Sequence, residues 1–359
     1  MIAFKRLFLS FLCKEKSNKT APKLFQNILI NARFKIGDTI ILFALIREIK
    51  QHFPLIDIDI LAGKDNSFMF ENNPYVSETF TLYKWVKFKK SLFDLGKLRS
   101  KNYDLVVDVS SIKFGNFLYL KLLNSKYMVT LKSSNRYNIS NDYCYDLVLR
   151  ISPKQHNLEH FFSVLKLLHI HFNPSMKKLD IYLKEDALLK AKQFIEQIMP
   201  KKEKSVLLNI DGSNQLRSIN TKDLQQIISD VANKFQNIIF IIISTPKRRK
   251  KIQALLDAQR HHNILLSYPT RDIFDVMALV NATDIIITPD TSVIHIASAL
   301  KKPFIGIYSQ DPTNFSRFSP IADNYKLIFA PNTKENSIQN FDHQLLLKTL
   351  KDMLHETDS

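Results

Sequence analysis

Six consecutive apolar residues, Ile238-Ile-Phe-Ile-Ile-Ile243, lie between Asn237 and Ser244. A run this short, apolar on both faces, fits a central strand of a parallel sheet covered by helices on each side. Parallel strands need helical crossovers, and the neighbouring sequence supplies them. The strand Val206 to Ile210 is followed by a helix over Thr221 to Phe235, then by the apolar run itself. Helices over Lys247 to Gln259 and Arg271 to Asn281, a strand Ile285 to Thr288, a helix Val293 to Leu300 and a strand Phe304 to Tyr308 complete the series. A last helix runs from about Phe341 to Leu354.

A similar alternation precedes it. Asn27 to Asn31 reads as a short apolar strand, and the helix after it carries Ile41, Ala44, Leu45 and Ile49 on one face and stops before Pro54. Ile56 to Leu61 and Leu105 to Val109 are further strands, with another over Cys144 to Leu149, and a helix covers His156 to His169. Asn173-Pro174 then breaks the pattern. Lys184 to Met199 is a polar-faced helix, and Pro200 to Lys204 is a charged link. Two α/β series in 359 residues suggest two Rossmann-like domains. The expected division is 1–22, a basic amphipathic N-terminal segment; 23–172, an N-terminal Rossmann-like domain; 173–204, a linker region; and 205–335, a C-terminal Rossmann-like domain. Residues 336–359 form a C-terminal helix with the option of packing back on the N-terminal domain.

With six glycines in the whole chain there is neither a GxGxxG nor a GxxxxGK[ST] loop. Cys13 and Cys144 lie far apart and form no CxxC pair, which argues against a disulfide framework or a cysteine zinc site and fits a reducing compartment. The net charge of +17 calls for an anionic partner or surface. The even spread of basic residues, without recognition-helix or zinc-finger spacing, speaks against nucleic acid. Phe4, Leu7, Phe8, Phe11 and Leu12 share one helical face, with Lys5, Arg6 and Ser10 elsewhere. The run is too short to span a bilayer and has no signal cleavage site. It reads either as a basic amphipathic helix on anionic lipid or as a terminal helix packed on its own domain.

In open parallel sheets ligands bind at the carboxyl ends of strands. The strand ending at Thr288 meets Pro289, and Asp290, Thr291 and Ser292 are each good helix caps. The N–H groups and positive end of the following helix suit a pyrophosphate, with His295 in the first turn as a further donor. Taken alone, the spacing fits an ordinary capped helix as well. Arg33-Phe-Lys-Ile-Gly-Asp38 lies after the first strand. There Gly37 permits a tight turn and Asp38 opens a helix, either as its cap or as a general base kept ionised by the dipole. In Asn209-Ile-Asp-Gly-Ser-Asn-Gln-Leu-Arg217, Gly212 and Ser213 can approach a ligand and Arg217 can fork onto phosphate. The alternative is a polar loop with a solvated Arg.

Three strings carry less. Asp57-Ile-Asp59 matches a DxD metal string, but its alternating strand turns both carboxylates to solvent. His156-Asn-Leu-Glu-His160 matches HxxEH without a third ligand, among packing residues. Lys247-Arg-Arg-Lys-Lys251 resembles a polyanion patch and fits a solvated helix start.

Taken in order, these residues resemble glycosyltransferase family 9, the lipopolysaccharide heptosyltransferases. The resemblance covers Leu24 to Pro320. It rests on the strand, Gly-Asp turn and helix of Ile28 to Ile60, on Asn73-Pro-Tyr-Val76 and on Tyr103-Asp-Leu-Val-Val-Asp108. Its most specific part is a D-T-x-x-x-H-x-A-x-A-x-x-x-P signature, met by Asp290, Thr291, His295, Ala297, Ala299 and Pro303. It implies a GT-B fold, two Rossmann-like domains with the active site in the cleft between them. It also implies inverting, metal-independent transfer from ADP-L-glycero-D-manno-heptose, with no cofactor. Asp38 is then the catalytic base, with Lys35 and Gly37 in the active-site turn; Ser213, Arg217, Asp290, Thr291, Ser292 and His295 bind the donor. The implied partners are the nucleotide sugar, a Kdo/heptose–lipid A acceptor and an anionic membrane surface, with no nucleic acid. The implied location is the cytoplasmic face of the inner membrane, and Lys84-Trp-Val-Lys-Phe-Lys-Lys90 reads either as an exposed basic loop or as an acceptor or membrane contact. The chain departs from the pattern in having Arg217 where Lys is usual and Ser292 where Gly is common. It also has Ser244-Thr-Pro-Lys-Arg-Arg249 where a Gly-rich stretch with a Glu is usual. The remaining alternatives are another nucleotide-sugar donor, a basic nucleic-acid binder and a non-catalytic lipid- or glycan-binding relative.

Overall fold

The computed structural model describes residues 13, 19–22, 24–82, 88–110, 114–131, 135–136, 139–152, 154–199 and 204–356. The N-terminal amphipathic pattern, Trp85 and most of the Pro200 to Lys204 link lie outside them. The chain forms two compact units, Met1–Lys177 and Lys178–Ser359. The division falls within the expected linker region, whose polar-faced helix belongs to the second unit.

Beside a small antiparallel pair of two-residue strands, Asn135–Arg136 with Ile139–Ser140, the first unit has the strands β1 (Asn27–Ala32), β2 (Asp57–Gly63), β3 (Glu78–Leu82), β4 (Leu105–Asp108), β5 (Tyr127–Thr130) and β6 (Leu147–Val148). They form one parallel sheet in the order β3-β2-β1-β4-β5-β6. Its helices are α1 (Ile36–His52), α2 (Phe88–Ser100), α3 (Phe114–Lys121) and α4 (Asn157–Leu167). The second unit repeats the sheet. Its strands are β7 (Lys204–Asn209), β8 (Ile238–Ile243), β9 (Ile264–Leu266), β10 (Ile285–Pro289), β11 (Phe304–Tyr308) and β12 (Tyr325–Phe329). They are ordered β9-β8-β7-β10-β11-β12, all parallel. Its helices are α5 (Glu185–Ile198), α6 (Thr221–Lys234), α7 (Pro246–Gln259), α8 (Ile273–Ala282), α9 (Ser292–Ala299), α10 (Pro312–Phe318) and α11 (His343–Glu356).

In each unit the strand order reverses between the first and fourth strands, and an acid just before the fourth strand ties down the start of the first. Asp104 accepts from the N–H groups of Gln26 and Asn27, at 2.6 and 3.2 Å. Asp284 accepts from Ser205 N–H and hydroxyl, both at 2.8 Å. The bonds from Gln26, Asn27 and Ser205 N–H satisfy backbone that the ladder leaves over at a strand end.

The apolar run holds its place because both faces are covered: Phe240, Ile241 and Ile242 are at most 1% exposed. The C-terminal helix α11 buries Leu346, Leu347, Leu350, Met353 and Leu354 within the core of its own unit. Cys13 and Cys144 meet as thiols in the core of the first unit, Sγ to Sγ 2.9 Å.

One expectation about Asp57 and Asp59 needs correction. Asp57 is exposed, but Asp59 is buried, accepting from Lys101 Nζ and Tyr103 Oη at 2.7 Å each. The alternation rule assumed a solvent face, whereas chain from the end of α2 to the start of β4 covers this one. No helix among the described residues is long and apolar enough to cross a membrane.

Candidate active site

The second unit gathers polar side chains at the carboxyl ends of β7 and β10. Asn209, the last residue of β7, donates from Nδ2 to Thr288 Oγ1 at 2.9 Å and to Thr291 Oγ1 at 3.3 Å. Thr291 is the cap of α9, accepting from Val293 N–H at 3.2 Å. Ser292 is therefore the first helical residue and not the cap, and Asp290 sits just before it. His295, the fourth helical residue, is buried at 4% exposure. The positive end of α9 thus opens at the strand ends, with its first turn fixed by a threonine.

The loop after β7 is closed on itself. Ile219 N–H donates to Ile210 O at 3.0 Å, Gly212 N–H to Ser218 Oγ at 2.9 Å, and Ser218 Oγ to Asn214 O at 2.7 Å. Asn214 also caps the short turn Gln215–Arg217, accepting from Arg217 N–H at 3.0 Å. Arg217 is thereby aimed at Asp290, with Nη1 3.3 Å from Oδ2. Asn314 of α10 donates to the same oxygen at 2.6 Å. Burial pushes the Asp290 carboxyl above the usual carboxylate range, while Arg217 and the Asn314 amide oppose that shift. Ser213 is exposed on the loop.

The basic run at the start of α7 divides by direction. Arg248 turns inward, donating to Asp211 Oδ1 at 2.7 Å and to Ile219 O at 2.8 Å. Arg249 donates to Ser267 O at 2.5 Å, whereas Lys247, Lys250 and Lys251 are exposed. Asp211 also accepts from Thr245 N–H. The stretch after β8 contains no acid of its own, but the fold brings one to it from the loop after β7.

In the first unit the Arg33 to Asp38 segment follows β1. The helix begins earlier than expected: Lys35 is its cap position, and Gly37 and Asp38 both lie in its first turn. Gly37 is thus a helical residue and not the pivot of a tight turn, and no glycine described has positive φ. Lys35 is exposed. Asn66 braces the segment, donating from Nδ2 to Ala32 O at 2.7 Å and Thr39 Oγ1 at 3.0 Å. Asp38 Oδ1 accepts from Asn157 Nδ2 at 2.9 Å.

The HxxEH side chains diverge. His156 caps α4 through Leu158 N–H, Glu159 pairs with Lys177 at 2.7 Å, and His160 Nε2 lies 3.0 Å from Ser152 O.

In both units an asparagine at or next to the end of the first strand donates across to the end of the fourth. Asn31 donates to Asp108 Oδ1 at 2.9 Å and Ser110 Oγ at 2.8 Å, as Asn209 does to Thr288 and Thr291. Asn209, Asn314 and Asn157 are the polar side chains that sequence reasoning did not assign to the site. Only Asn209 left a local signal, an amide ending an otherwise apolar strand.

Residues 94–347 match the family model described as glycosyltransferase family 9 (heptosyltransferase). The chain is 25% identical over 312 residues to an Escherichia coli (strain K12) protein provisionally named lipopolysaccharide heptosyltransferase 4, covering 85% of this chain and 81% of that one. It is 23% identical over 337 residues to lipopolysaccharide heptosyltransferase 1 of Campylobacter coli, covering 89% and 96%. The solved E. coli ADP-heptose LPS heptosyltransferase II superposes with a TM-score of 0.73 at 14% identity, over 93% of this chain and 100% of that one. That likeness assigns the two parallel-sheet α/β units to the GT-B fold. Because the family model runs through most of the chain, including both Asp108 and the Asp290 signature, this protein belongs to glycosyltransferase family 9, the heptosyltransferases.

Proposed function

We propose that this glycosyltransferase moves a heptose from ADP-L-glycero-D-manno-heptose onto the inner core of lipopolysaccharide or lipooligosaccharide, with inversion at the anomeric carbon and without a metal. Asp38 takes the proton of the acceptor hydroxyl, whose oxygen bonds to the anomeric carbon from the face opposite the leaving ADP. The bond from that carbon to the diphosphate oxygen breaks, and the charge gathers on ADP. Arg217 and the start of α9 oppose that charge, the role a metal fills in other transferases. The observation that carries the reading is the cation Arg217, fixed beside Asp290 at the mouth of a threonine-capped helix. The excess positive charge suits an acceptor bearing phosphates and acidic sugars on an anionic leaflet, at the cytoplasmic face of the inner membrane.

The test is donor screening with the purified protein and a Kdo-bearing lipid A acceptor, products identified by mass spectrometry and the anomeric configuration by NMR. The expected result is transfer from ADP-heptose, undiminished by EDTA. Transfer from another sugar nucleotide alone would reassign the donor. Activity lost to EDTA and restored by magnesium would overturn metal independence.

Arg217→Ala is expected to weaken ADP binding by roughly 10- to 100-fold, the worth of a charge-assisted hydrogen bond of about 1.5–3 kcal/mol. Arg217→Lys keeps the charge but loses the fork and recovers part of it. Isothermal titration with ADP checks both, and unchanged affinity in Arg217→Ala would remove Arg217 from the phosphate site.

A further inference from the structure

We propose that Asn157 is a positioning residue for transfer, holding the Asp38 carboxylate in the orientation in which it takes the acceptor proton. This rests on reading Asp38 as the base. The two residues are 119 positions apart in sequence, and their side chains meet at 2.9 Å, Asn157 Nδ2 donating to Asp38 Oδ1. The meeting is built by packing. Helix α4 lies on α1, and the ring of Phe161 in α4 packs tilted against Phe34, just before α1, with centroids 5.6 Å apart. Leu158, Phe161, Phe162 and Leu165 bury the rest of the α4 face.

Asparagine is a costly choice at this place for any purely structural end. It is a weaker helix former than Ala, Leu or Glu. The cap of α4 is already supplied by His156, which accepts from Leu158 N–H at 3.0 Å. Asn157 is 5% exposed, and a buried amide is tolerated only where its polar atoms are matched. One match it makes is with a carboxylate in the first turn of another helix.

The chemistry suits the amide. A carboxylate on a short side chain can rotate, and a base must meet the proton it abstracts within hydrogen-bond reach. Fixing Oδ1 sets the direction in which Oδ2 faces. A neutral donor does this without adding a full positive charge, which would make the carboxylate a weaker base.

The experiment compares Asn157→Leu, Asn157→Asp, Asp38→Asn and the double variant Asp38→Asn/Asn157→Leu in the full-length protein. It measures kcat, KM for ADP-heptose and thermal melting. Asn157→Leu keeps the size and removes the donor. Its kcat is expected to fall about 30- to 100-fold with KM for the donor within about twofold, since small misplacement of a catalytic group costs that order. Asn157→Asp sets an acid at the first position of a helix, where acids stabilise helices. At this buried position the new carboxylate repels Asp38, so a positioning role predicts a fall in kcat of at least the same size with melting held, whereas a purely structural role predicts a fall in kcat only as far as melting falls. On the Asp38→Asn background, Asn157→Leu is expected to change the residual rate by less than about twofold, as contacts acting through one group are not additive.

Wild-type kcat in Asn157→Asp, or an equal fall on both backgrounds, would overturn the positioning role. Should Asn157→Leu fail to fold, the Asn157→Asp comparison alone decides. Near-normal turnover in Asp38→Asn would instead refute the base reading, and would do so whatever the Asn157 variants show.

Discussion

Asp38→Asn is expected to lower kcat by about 10²–10⁴, the usual contribution of a general base, while leaving ADP affinity within about twofold. The substitution keeps the size of the side chain and its acceptor oxygen, so the contact from Asn157 Nδ2 at 2.9 Å can persist. What it removes is the lone pair able to carry a proton away from the acceptor hydroxyl. Affinity for ADP is expected to hold because the residues proposed for the diphosphate, Arg217 and the start of α9, belong to the second unit, whereas Asp38 belongs to the first. The cost in stability is small, since an acid in the first turn of a helix contributes about 0.3–1 kcal/mol. Single-turnover kinetics with titrated ADP binding separate the two effects. Turnover near wild type would take Asp38 out of the base role; lost ADP affinity would mean the aspartate acts on donor binding instead.

The central strands were readable because they are buried on both faces, so no polar residue interrupts Ile238 to Ile243. Of the edge strands, only Leu147–Val148 was, within the expected Cys144 to Leu149. Glu78–Leu82 holds just two apolar residues, Phe80 and Leu82, and Ile264–Leu266 is only three residues long, too little for periodicity to register. Helix α10, seven residues long and with no fully buried residue, was too short for a helical period to register, yet it delivers Asn314 to Asp290. The same division runs through the site. A strand end followed by Asp290 and Thr291 is a local signal, and so is Arg217 in a Gly-containing loop. The contacts of Asn157 with Asp38 and of Arg248 with Asp211 join residues far apart in sequence, and one chain read along its length cannot reveal them. Glycine usually signals a turn, but at Gly37 the helix has already begun, at Ile36.

Gly212→Ala is expected to weaken ADP binding and lower the melting temperature together. A Cβ at position 212 would lie 1.9 Å from the carbonyl oxygen of Arg217 and 2.4 Å from its carbonyl carbon. The obstacle is backbone, so no side-chain rotation relieves it. Nor can the Gln215–Arg217 turn simply step back, because Leu216 O is held from the other side by Ile338 N–H at 2.9 Å and Ser337 Oγ at 3.2 Å. Something in the loop must therefore give, and its ties are the Gly212 to Ser218 and Ser218 to Asn214 bonds. Forced overpacking costs about 1–3 kcal/mol, which in a unit of this size is a fall of roughly 2–12 °C in melting temperature. The binding loss has the same origin, because shifting the Arg217 backbone carries its guanidinium off Asp290 and out of line with α9. Arg217→Ala separates the two effects: it removes the guanidinium and leaves the backbone where it is, so affinity should fall with a smaller change in melting. If Gly212→Ala melted and bound ADP like the wild type, the loop would be yielding freely, and Arg217 could not owe its aim to it.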